Sequence, residues 1–116
     1  MFTSVGENLT TDYWDGSATA PATWYVASGT TNTATTKGDT ALATEVESRV
    51  GAVDTQPTAD TNRHVATVTY TATRTIVEVG LFDASTAGNM AVRDVFAGIG
   101  INSGDKIEFT IDIETT

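Results

Sequence analysis

A chain of 116 residues is long enough for one hydrophobic core and too short for two, so a single domain is expected. Hydrophobic residues make up 40 % and charged residues 18 %, with ten Gly and two Pro, a globular composition that argues against a disordered or fibrous chain. Fifteen acidic against six basic residues give a formal charge of −9, which disfavours nucleic acid as a direct partner, and the absence of Cys removes disulfides, thiolate nucleophiles and Cys-type zinc sites.

The first 21 residues show no sustained period and read as an extended N-terminal arm ahead of a β-rich domain spanning 22–116. Within that arm Phe2, Tyr13 and Trp14 carry apolar surface that must be buried either on the chain's own domain or on a neighbour. The start has neither a basic region nor a long apolar segment, and no stretch approaches the roughly 18 apolar residues of a membrane span, so neither secretion nor membrane insertion is expected. Thr23 to Ala27, with Trp24 and Tyr25, reads as a strand, and the Thr-rich segment after it as a loop.

Gly38 to Gly51 carries the pattern of a helix, over about residues 39–50. Asp39 or Thr40 can cap it, Leu42, Val46 and Val50 recur at spacing four, Glu45 and Arg49 form an i,i+4 pair, and Gly51 suits the stop. Asp54 to Asn62, with Pro57 inside, reads as loop. From His64 to Thr73 apolar residues and threonines alternate, which predicts a strand with one core face and one hydroxyl face.

Ile76 to Phe96 predicts the central hairpin: two apolar runs joined by the polar loop between Asp83 and Asn89. Antiparallel pairing would bring Glu78 and Arg93 close together, worth roughly 0.2 to 1 kcal/mol. Gly98 to Gly104 reads as a turn. In Lys106 to Glu114 the residues Ile107, Phe109, Ile111 and Ile113 alternate with charged and hydroxyl side chains, the cleanest strand pattern in the chain. Five or six strands and one short helix, without βαβ spacing, predict a mainly antiparallel β-sandwich or barrel.

The chemistry points to binding. His64 is the single histidine and no nucleophile elbow accompanies any Ser, so no catalytic residue and no enzymatic activity are expected. Asp12, Asp15, Asp54, Asp60, Asp83, Asp94 and Asp105 fit turn chemistry better than a calcium or magnesium site, because EF-hand spacing is absent; no metal or other cofactor is expected. Gly98, Gly100 and Gly104 lead into a strand and lack a Walker lysine, so they do not form a phosphate loop.

The order Trp24-Tyr25-Val26-Ala27, Gly38-Asp39-Thr40-Ala41-Leu42 with Glu45 and Arg49, Glu78 to Ala84, then Gly104, Asp105 and Ile107 resembles small virion structural proteins of tailed bacterial and archaeal viruses, over about residues 22–113. Related modules occur in tail-collar or fibre proteins and in proteins that coat capsids. The resemblance implies a virion part made in the host cytoplasm. Since no C-terminal shaft follows the last strand, it favours a capsid decoration (cement) protein that binds the major capsid protein and stabilises the assembled head by mass action. The alternative is a tail, baseplate or fibre-associated subunit, with carbohydrate or host-receptor affinity through Tyr13, Trp14, Trp24 or Tyr25. A homo-oligomer is expected, with a trimer favoured, and Phe2, Tyr13, Trp14 and Trp24 are the candidate interface residues, on the principle that aromatic anchors dominate interface energy.

Overall fold

Alternation decides most of the architecture. A computed structural model, which describes residues 1–115, resolves seven strands and one helix in the order α1 (Ser4–Asp15), β1 (Tyr25–Gly29), β2 (Glu45–Gly51), β3 (Val53–Thr58), β4 (Thr61–Thr69), β5 (Arg74–Phe82), β6 (Met90–Ile101) and β7 (Lys106–Glu114). They form two antiparallel sheets, ordered β2-β1-β5-β6 and β3-β4-β7. In β4 and β7 every second residue turns inward, so Ala66, Val68, Phe109 and Ile111 meet Val26, Ile76, Leu81 and Val92 of the other sheet in one core. Each of these side chains larger than Ala66 contributes about 1.5–3 kcal/mol when fully buried. Ser28 and Tyr70 close the polar gap between the layers through a buried hydroxyl pair at 2.8 Å.

The expected β-rich fold is therefore observed, with the helix elsewhere. Residues 45–51 of the segment expected as a helix form edge strand β2. An apolar spacing of four is even, so Val46 and Val50 share a face in a strand as they would in a helix, and pairing with β1 selects the strand. The Glu45–Arg49 ion pair still forms, at 3.0 Å. Residues four apart in a regular strand lie roughly 13 Å from each other, but here the ladder shifts between Val26 and Ser28 and Glu47 takes φ 62°, and this bulge draws the two side chains together.

The expected extended arm is instead docked. Met1 to Thr3 lies along the edge of β6, with Thr3 N–H donating to the Ala91 carbonyl at 2.9 Å and Arg93 N–H to that of Met1 at 3.0 Å. Thr3 then caps α1, its Oγ1 accepting from Gly6 N–H at 2.9 Å while donating to the Met90 carbonyl at 2.7 Å. Gly16, at φ 82°, ends the helix in the left-handed conformation. The segment 54–62, expected as loop, contributes β3, whose Pro57 is tolerated on an exposed edge, and β6 continues to Ile101 through part of the expected turn.

Candidate binding cleft

Helix α1 crosses β6 closely because Gly6 faces the sheet: a Cβ there would lie 2.5 Å from the Ala91 carbonyl oxygen. Gly6, Leu9, Thr10 and Tyr13 recur at helical spacing on the inner face and, with Phe2, roof a cleft of about 290 Å³. Trp24, just before β1, and Leu81 of β5 come from the side of the four-stranded sheet, and His64 and Ile113 from the three-stranded one. Asp54 and Asn62 supply the polar part of the lining, joined by an Asn62 Nδ2 to Asp54 Oδ1 hydrogen bond at 2.6 Å. The lining is therefore mostly aromatic and aliphatic with a few polar groups, the usual composition of a recognition site.

At this cleft His64 is 2 % exposed and meets Trp24 edge-on, with ring centroids 6.1 Å apart at 65°. Burial pushes its pKa below the ordinary 6.5, with the nearby Asp54 carboxylate pulling in the opposite direction. Its Nδ1 is enclosed and has no hydrogen-bond partner among the described residues. A neutral, enclosed imidazole suits packing, or one hydrogen bond to an occupant, better than proton exchange with bulk water. Burial, followed by Asp83 and then Asp12, raises the Tyr13 phenol above its ordinary value, so that group too stays neutral and polar at the cleft.

Three of the four candidate interface residues thus converge: Phe2, Tyr13 and Trp24 line one cleft. Trp14 does not join them. One residue beyond Tyr13 on the helix, it points outward and is 78 % exposed. Leu9, a possible anchor of the N-terminal segment, joins them, whereas His64, Asp54 and Asn62 carry no binding signal in the sequence because they reach the cleft from strands β3 and β4. One local signal for α1 was present, namely Val5, Leu9 and Tyr13 at spacing four between a capping Thr3 and Gly16.

The Thr-rich segment between β1 and β2 is held by a buried ionic cluster. Glu78 is fully buried, and its Oε1 accepts from Arg93 Nε at 3.2 Å, from Nη2 at 3.1 Å and from the Ala43 N–H at 2.9 Å. Its Oε2 accepts from the Thr44 N–H at 2.9 Å, and Arg93 Nη1 reaches the Thr33 carbonyl at 3.0 Å and Asp39 at 3.2 Å. Glu78 and Arg93 are diagonal neighbours on the ladder, since Glu78 lies opposite Val95 and Arg93 opposite Gly80. Next to them Arg49 lies over the Phe82 ring at 3.6 Å and donates to the Ala84 and Ala87 carbonyls, which orders the 83–89 loop.

Aromatic walls, a docked helix and loops tied down by Arg49 and Arg93 thus surround the cleft and its rim. The family described as podophage GP4 fiber I protein gp80 matches residues 3–115. No curated protein matches the chain. With the match spanning both sheets and helix α1, this chain belongs to the podophage GP4 fiber I protein gp80 family, a family of phage structural proteins.

Proposed function

We propose that the protein is a structural subunit of the fibre apparatus of a podophage virion, working by non-covalent attachment. The observation that carries this reading is the family match over residues 3–115, whose description names a fibre protein. It favours the tail, baseplate or fibre alternative over decoration of the capsid, and the partner proposed with that reading is a tail or fibre neighbour in place of the major capsid protein. The rigid sandwich fits a structural part, and its exposed Trp14 is a ready aromatic anchor. Gold labelling of a tagged copy on intact particles tests the location. Label at the fibres supports the proposal; many labels spread over the head would overturn it and restore the cement reading.

The reading extends to recognition of a host-surface glycan. The aromatic faces of Trp24 and Tyr13, with the Asp54–Asn62 pair on the same cleft, combine a stacking surface with hydrogen-bonding groups. Glycan-array binding by the purified chain tests this, and loss of binding in Asn62→Ala with unchanged thermal stability is the expected result. An array without signal would confine the role to assembly.

A further inference from the structure

The two sheets leave four edges, and three of them are guarded. β2 is bulged at Glu47, β3 carries Pro57 and a register shift, and β6 is covered by Met1 to Thr3 along its first part and shifts twice against β5. β7 differs. It pairs with β4 at nine consecutive positions without a shift, and among the described residues no hydrogen bond from another element reaches its outer edge. A straight, uncovered edge of roughly 30 Å is a template for another strand.

We infer that two copies of this chain join through the free edge of β7, antiparallel and in a two-fold register centred on Thr110. In that register Ile107 faces Ile113 of the second copy and Phe109 faces Ile111, so both core faces continue across the joint. The charges are complementary at the ends, where Lys106 of each copy meets Glu114 of the other. Neither residue has an ion-pair partner among the described residues. Glu108 faces Asp112, but Arg63 already grips that carboxylate through two hydrogen bonds, at 2.8 and 3.0 Å. Beside this edge a groove of about 330 Å³ opens between the sheets, lined by Phe2, Val92, Ile111 and Ile113, and Ile107 and Ile113 are only half-buried. Pairing would cover these groups and produce a continuous six-stranded sheet. It supplies a two-fold joint in place of the three-fold assembly expected from the sequence, and it does not depend on where the protein sits on the virion.

The chain lacks Cys, so a single introduced thiol reports the register. Cα atoms facing each other in an antiparallel pair lie about 4.5–5.5 Å apart, within disulfide range. Thr110→Cys in the full chain should therefore cross-link to a covalent dimer under mild oxidation, whereas Thr67→Cys on the exposed face of β4 should form no covalent dimer. In sedimentation velocity Lys106→Glu should weaken the dimer about tenfold, and Lys106→Glu with Glu114→Lys should restore it. A wild-type monomer at all concentrations, a trimeric mass, equal cross-linking of the two Cys variants, or unchanged association of Lys106→Glu would each overturn the inference. So would association that requires another virion protein.

Discussion

Replacing Glu78 with Ala is the sharpest perturbation of this fold. Glu78 is fully buried and Arg93 is 2 % exposed, so the substitution leaves a guanidinium inside the protein with only Asp39 as a charged partner. Removing one member of a buried pair costs about 3–5 kcal/mol, most of it from the charge left behind. The N–H groups of Ala43 and Thr44 also lose their acceptor at 2.9 Å, but both residues are exposed and water can replace it, so they add little. The exposed Arg63–Asp112 pair is the internal comparison, and Arg63→Ala should leave stability nearly unchanged because solvent screens the pair. Equilibrium denaturation in urea measures both, and hydrogen exchange at Ala43 and Thr44 should accelerate in Glu78→Ala alone. Adding Arg93→Met to Glu78→Ala should recover stability, because the orphaned charge disappears. If Glu78→Ala costs no more than Arg63→Ala, or if the two substitutions at Glu78 and Arg93 simply add, the cluster does not hold the Thr-rich segment by this physics.

Phe109→Ala should cost about 3–5 kcal/mol in chemical denaturation while Glu108→Ala stays nearly silent, since the first is buried and the second exposed on one strand. Thr3→Ala should cost about 0.5–2 kcal/mol through the lost cap, seen as reduced helical signal together with a lower Tm. Because the folded state lowers the His64 pKa, it disfavours the protonated form: stability is complete above the unfolded value of 6.5 and declines as pH falls from there through the folded pKa. His64→Gln should flatten the Tm profile in that window, while the slope below about pH 4.5, where Asp39, Glu47, Asp60 and Asp112 regain protons, should persist. Deleting residues 1–20 should lower Tm by exposing the partners of Phe2 and Thr3, whereas Trp14→Ala should leave Tm unchanged; an unaltered Tm in the deletion would support an independent 22–116 domain.

Period-2 alternation carries the part of the fold that is legible in the residues alone. β7 was expected over Lys106 to Glu114 and lies there, and the inward Ala66, Val68 and Tyr70 of the fourth strand region follow its pattern. The Glu78–Arg93 contact was also legible, because both residues flank one turn, but its burial was not: closure by the 30–44 segment comes from residues distant along the chain. Tertiary pairing decided the two segments whose local signals conflicted. Val46 and Val50 satisfy a helix and a strand equally, and β1 offered a backbone ladder, while Leu42 falls outside β2 and joins a separate cluster with Ala27, Phe82 and Met90. At the N-terminus Val5, Leu9 and Tyr13 form too short a stripe to make a helix stable alone, and docking on β6 through Thr3 and Gly6 supplies the missing stabilisation. The cleft follows the same rule. Phe2, Tyr13 and Trp24 announced themselves as aromatics seeking burial, but only the packing of α1 across two sheets placed them around His64 and left Trp14 in solvent.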